Sequence, residues 1–141
     1  MKNKKIKLSI ESDLKNVSLI GLTVNSICSS LEFDKETSYQ LELCVVEAVN
    51  NCILHAYENN TNNDVEVVIE LLSDRILFKV CDAGKVMEVI PNIMSALEFD
   101  PGDPITIPER GRGLFIIHKL MDDITYERFR DRNILTMTKR F

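Results

Sequence analysis

Tryptophan is absent from the 141 residues, histidine occurs twice, and only five glycines and four prolines punctuate the chain. So little Gly and Pro excludes a collagen-like or low-complexity chain. The four cysteines, Cys28, Cys44, Cys52 and Cys81, form no C-x-x-C pair, and no cluster of histidines completes a zinc tetrahedron. They are expected as buried thiols in a reducing compartment. Positive charge is not in excess either: 17 Lys+Arg stand against 22 Asp+Glu, a net charge of −5. Such a balance repels phosphates and anionic lipid, which disfavours direct nucleic-acid binding and a membrane surface. No run approaches the roughly 20 apolar residues of a membrane span, and the apolar residues after Met1–Lys7 alternate with polar ones instead of building a signal-peptide core. A cytoplasmic location is expected.

What is present is ordinary globular material, 45% hydrophobic and 28% charged. A chain of this length buries about 68–70% of its unfolded surface, enough for one domain over residues 1–141 without staples. Ile6, Leu8 and Ile10 alternate with Lys7 and Ser9, the period of a half-buried strand. Asp13 can cap a helix over Leu14–Leu31, and Asp34 a second one running to about Tyr57. Residues Val65–Leu72 and Arg75–Cys81 predict a hairpin across Ser73-Asp74; Ile124–Phe129 and Ile134–Phe141 predict another, turning at Asp131 to Asn133. Between them, Pro91, Pro101, Gly102, Pro104 and Pro108 interrupt a loop or lid at about residues 86–110, with a helical fragment near Ile93–Leu97. A short helix, Leu114–Met121, follows. Strands and helices in separate runs predict an α+β fold: a two-layer sandwich of one mixed, mainly antiparallel sheet with its helices on one face.

The second helix carries the first chemical signal. Leu41, Cys44, Val45, Ala48, Val49, Cys52, Ile53 and Ala56 define a wide apolar face, and Leu43, Val46 and Leu54 make the other side apolar as well. On this greasy rod Glu47, Asn51 and His55 stand at i, i+4 and i+8. Each alone would read as a polar group tied to backbone or to an arginine. Together they point to a site, because a buried carboxylate costs several kcal/mol unless paired or facing a wet cavity. Asn offers a neutral oxygen suited to Mg²⁺, which takes few protein ligands and completes its shell with phosphates and water. A glutamate one turn earlier can accept a proton from an attacking hydroxyl or water.

Two further signals are weak singly. Asp82-Ala83-Gly84 ends a strand, where a carboxylate can accept from an exocyclic amine such as adenine's, although Asp-x-Gly is also a common turn. Gly111-Arg112-Gly113 stands before a helix, where free N–H groups favour phosphate, although glycines also serve simply as tight helix entries.

Taken in order, Glu47-Ala-Val-Asn-Asn51-Cys-Ile-Leu-His55 resembles the N box, Asp82-Ala-Gly84 the first glycine box and Gly111-Arg-Gly113-Leu-Phe the second glycine box of the gyrase, heat-shock-chaperone and histidine-kinase ATP-binding superfamily. The resemblance extends over essentially the whole chain. The small size, the Glu-x-x-x-Asn-x-x-x-His-Ala-Tyr form and the run Gly-Leu-Phe-Ile-Ile-x-x-Leu-Met-Asp-Asp are most similar to the anti-sigma factor serine/threonine kinases. That resemblance implies binding of ATP with Mg²⁺, sequestration of a sigma factor, phosphorylation of a serine on a STAS-type anti-anti-sigma protein, and a homodimer. By position it implies Glu47 as general base, Asn51 as Mg²⁺ ligand, Asp82 as reader of the adenine amine and Gly84 as the point of close approach to the base. Gly111 and Gly113 would wrap the phosphates, and Arg110 or Arg112 would supply positive charge to the transferring phosphoryl group. One departure stands out: the family's first glycine box continues Gly-x-Gly, but here Lys85 and Val86 follow Gly84. Val86 stiffens the backbone and adds bulk there, so a nucleotide-binding partner-switching module without turnover is the alternative reading.

Overall fold

A computed structural model describes residues 3–87 and 109–141; for residues 109–112 it describes the backbone alone. The expected helical fragment near Ile93–Leu97 and most of the expected lid lie outside the described residues. The elements are β1 (Lys4–Glu11), α1 (Val17–Ser29), α2 (Lys35–Asn51), β2 (Asp64–Leu71), β3 (Arg75–Asp82), α3 (Glu109–Leu120), β4 (Asp123–Phe129) and β5 (Arg132–Arg140). The helix starts follow from side chains that satisfy orphan N–H groups. Asp34 accepts from the Thr37 N–H at 2.7 Å and opens α2. Asp13 accepts from the Lys15 N–H at 3.1 Å, but opens only a 3-10 turn, Leu14–Asn16, before α1.

The five strands lie in the order β1-β2-β3-β5-β4. Every described ladder is antiparallel, so the expected mixed sheet is corrected to a purely antiparallel one. Short hairpins can join antiparallel neighbours directly, and here two hairpins and the two-helix connection leave no parallel pair to be made. Register places complete apolar rows across the sheet. Ile6, Ile69, Phe78, Met137 and Ile124 form one row; Leu8, Val67, Val80, Leu135 and Tyr126 form the next. Because side chains alternate with period two, both rows share a face. They join Ile20 and Val24 of α1, Leu41, Val45 and Val49 of α2, and Leu114 and Ile117 of α3 in a single core. The helices therefore cover one face, as expected. All four cysteines are buried free thiols, also as expected. Among the described residues no helix is long and apolar enough to cross a membrane.

A third row on the same face is polar. Asp82 pairs with Asn133 in the β3–β5 ladder, and Asn133 with Arg128 in the β5–β4 ladder. This row lies at the end of the sheet that meets the end of α2.

Candidate functional site

The α-helical period of α2 ends at Asn51, and Cys52–Ala56 continue as a π-turn closed by the Tyr57 N–H on the Cys52 carbonyl at 2.9 Å. Such wider turns are frequent at functional sites. Here it has two effects. The 3.6-residue spacing on which the expected alignment of His55 with Glu47 and Asn51 rests does not hold across it. It also leaves the Ala56 carbonyl free to accept from the Lys85 N–H at 2.9 Å, fastening the end of α2 to the loop after β3.

Glu47 and Asn51 face α3. A Cβ placed on Gly113 would lie 2.6 Å from Glu47 Oε2 and 3.5 Å from Asn51 Nδ2. The segment around Glu47 and Asn51 thus touches the segment around Gly113, and a side chain at 113 would have to displace the Glu47 carboxylate. Asn51 is 7% exposed, and its Nδ2 has no hydrogen-bond partner among the described residues. Glu47 is partly buried, and that burial pushes its carboxyl above the usual range for glutamate. A buried amide nitrogen with no partner among the described residues, beside a carboxylate of raised affinity for protons, marks the pair as a candidate site. It fits Mg²⁺, a hard cation content with one neutral protein oxygen; no group of three or more His, Cys, Asp or Glu among the described residues could hold a softer metal.

Asp82 is 3% exposed, and its carboxylate is densely used. Oδ1 accepts from the Gly84 N–H at 2.9 Å and from Asn133 Nδ2 at 2.8 Å. Oδ2 accepts from the Cys52 thiol at 3.3 Å. Burial, and then Asp82 itself, hold the Cys52 pKa well above that of a free thiol, so the sulfur keeps its proton and donates it. Two oxygens offer about four acceptor positions. Among the described residues three are taken, which leaves one on Oδ2.

Gly84 is required for a reason the sequence did not suggest. Its Cβ would lie 2.3 Å from the Ala56 carbonyl oxygen, so the space opposite its hydrogen holds the end of the π-turn. The loop it begins is fastened throughout. The Ala83 N–H donates to Tyr57 Oη at 2.7 Å, and the Met87 N–H to Tyr126 Oη at 2.8 Å. Lys85 pairs with Glu58 on the surface. Val86 is 48% exposed between two anchored neighbours.

The second glycine box sits inside α3 and not before it: Glu109 is the first helical residue. This corrects the expected helix start at Leu114. Among the described residues Gly111 lies in the first turn of α3 and Gly113 in the second. The side chains of Arg110 and Arg112 lie outside the described residues.

Sequence reasoning missed Asn133, Arg128 and Cys52. Asp131 to Asn133 has turn composition, but in this hairpin positive φ falls at Arg130, 51°, and Asp131, 63°, so the hairpin turns one step earlier and Asn133 falls inside β5. The period-two pattern counted back from Met137 and Leu135 was the available signal. Cys52 was read only as part of an apolar face.

The histidine kinase-like ATPase domain family matches residues 10–139. The serine-protein kinase RsbW of Staphylococcus aureus (strain MSSA476) is 30% identical over 122 residues, covering 85% of this chain and 77% of that protein. The serine-protein kinase RsbW of Oceanobacillus iheyensis is 26% identical over 120 residues, 84% and 76% of the two chains. Among solved structures, a chain of the SiaB-SiaC complex from Pseudomonas aeruginosa matches 96% of this chain and 89% of its own with a TM-score of 0.65; at 9% identity this is a likeness of fold. With the three boxes meeting around the last turns of α2 and the match running from β1 to β5, the chain belongs to the histidine kinase-like ATPase domain family, on the branch that holds the serine-protein kinase RsbW proteins.

Proposed function

We propose that this chain binds ATP with Mg²⁺ where α2, the loop after β3 and α3 meet, transfers the γ-phosphoryl group to a serine of a STAS-type anti-anti-sigma protein, and sequesters a sigma factor. The observation that carries the reading is the pair Glu47 and Asn51. One is a partly buried carboxylate held above its usual pKa, the other a buried amide with an unpaired nitrogen, and both abut Gly113. The relatives named serine-protein kinases support it. In the reaction the serine oxygen forms a bond to the γ-phosphorus as the bond from that phosphorus to the bridging oxygen of ADP breaks. The serine proton passes to the Glu47 carboxylate, and ADP departs with the electron pair. Asn51 would hold Mg²⁺ through its side-chain oxygen, and the ion would neutralise charge on the β- and γ-phosphates. The open acceptor on Asp82 Oδ2 receives the adenine amine. The backbone at Gly111 and Gly113 lies along the phosphates, and Arg110 or Arg112 adds positive charge to the transferring group.

The test is incubation with labelled ATP, Mg²⁺ and the cognate antagonist, with gel filtration against the cognate sigma factor alongside. Label on an antagonist serine and a co-eluting sigma factor are expected; no label on any cognate antagonist rejects the kinase. A second reading, a partner-switching module that binds nucleotide without turnover, is favoured by Val86 in a loop anchored on both sides. Calorimetric titration with ATP and Mg²⁺ that gives binding, with no transfer in the labelling assay, would establish it.

A further inference from the structure

The polar row across the sheet has a use that apolar packing cannot explain. Asn133 is 0% exposed and both ends of its amide are committed. Its Oδ1 accepts from Arg128 Nη1 at 2.9 Å. Its Nδ2 donates to Asp82 Oδ1 at 2.8 Å, and lies 3.0 Å from the Gly84 carbonyl and 3.3 Å from that of Lys85. An amide has two donors and a two-lone-pair oxygen, and its orientation matters: flipped, it would set an oxygen against the Asp82 carboxylate and the two carbonyls. Arg128, which carries no acceptor, enforces the orientation observed by requiring an oxygen on its side. Arg128 is steadied in turn by Asp131 at 3.8 Å.

We propose that Asn133, oriented by Arg128, is the positioning residue of the base pocket: it holds Asp82 Oδ1 so that the acceptor left open on Oδ2 among the described residues is aimed at the ligand. This rests on the nucleotide reading and adds its specificity device. The carboxylate is free to rotate about its terminal bond. Two donors on Oδ1, the Asn133 amide at 2.8 Å and the Gly84 N–H at 2.9 Å, outweigh one weak thiol donor on Oδ2, and Asn133 is the one of the two that a side-chain substitution can remove. A purine amine then meets an oxygen already in place, and a base lacking the amine leaves that acceptor unsatisfied. Hydrogen bonds to charged groups are worth enough that the discrimination is expected to be about tenfold or more.

Binding of ATP and of purine-riboside triphosphate, which lacks the 6-amino group, is measured with Mg²⁺ for the parent chain, Asn133→Leu and Arg128→Met. Asn133→Leu keeps the side-chain shape and removes both bonds; Arg128→Met changes an exposed residue and leaves the fold's core alone, so it reports even if the first variant does not fold. The parent is expected to prefer ATP about tenfold, Asn133→Leu to bring the ratio near one, and Arg128→Met to reduce it about threefold. An unchanged ratio in the folded variants overturns the proposal. Amide exchange at Gly84, whose N–H bonds to the same Asp82 oxygen, is followed without nucleotide. If the parent binds neither triphosphate the nucleotide reading falls, and exchange still decides the role of Asn133: acceleration of about tenfold upholds the fastening of Asp82, and an unchanged rate overturns it.

Discussion

Glu47 carries two opposed demands. Burial raises its pKa, which suits a proton acceptor and weakens the fold at neutral pH. The folded-state pKa lies above the unfolded one, so the stabilisation linked to it is fully present below the unfolded pKa and is lost as pH rises through the folded value. Glu47→Gln is therefore expected to melt at a higher temperature than the parent at pH 7, with the gain vanishing in acid, while phosphoryl transfer falls about 10²- to 10⁴-fold and nucleotide binding is retained. The acid limb of the parent's pH–rate profile is expected above the value for an ordinary glutamate. Thermal scans at two pH values and single-turnover labelling check these outcomes. The two site glycines separate in the same spirit. Gly84→Ala would press a methyl group against backbone at Ala56, so a loss of about 1–3 kcal/mol in urea unfolding is expected. Gly113→Ala would meet the far end of a flexible glutamate, so the fold should tolerate it while transfer drops, as Glu47 is pushed from its place.

At the scale of elements, what the sequence disclosed depended on whether periodicity was the signal. The pair Glu47 and Asn51 stood out because the 3.6-residue period of α2 is unbroken up to Asn51, and the strands because their alternation is clean. The π-turn after Asn51 was invisible, since an extra residue in a helix that is apolar all round leaves the pattern of residue types unchanged. The β4–β5 turn was misplaced because Arg130, an unusual residue at positive φ, occupies it with Asp131, while Asn133 two residues on has turn chemistry and strand geometry. That mismatch yields a prediction. Replacing Arg130-Asp131 with Asn-Gly, the pair such a turn favours, should stabilise the hairpin by about 0.5–1 kcal/mol, read as a raised urea midpoint with an unchanged slope. Loss of the α2 cap in Asp34→Ala should cost about 1 kcal/mol by the same measurement.

For the whole molecule, occupancy of the site and stability of the fold are linked. A ligand that binds only the folded chain adds about 2.7 kcal/mol at a hundredfold excess over its Kd, so ATP with Mg²⁺ is expected to raise the melting temperature by several degrees. GTP, whose 6-oxo group cannot donate to Asp82, is expected to raise it far less. A thermal shift equal for both nucleotides would contradict the role given to that carboxylate. One sheet, mainly antiparallel, under a single helical layer was expected, because residue pattern determines layers; the bonds between layers, being made by single atoms, had to be seen.

The bridge from Ala56 to Lys85 and the thiol of Cys52 on Asp82 join the end of α2 to the tip of β3. A docked base and a docked phosphate chain would accordingly press on one stiff platform. On the proposed function, a partner protein that shifted α2 would tilt the seat of the nucleotide with it, and so would act on release of ADP without touching it.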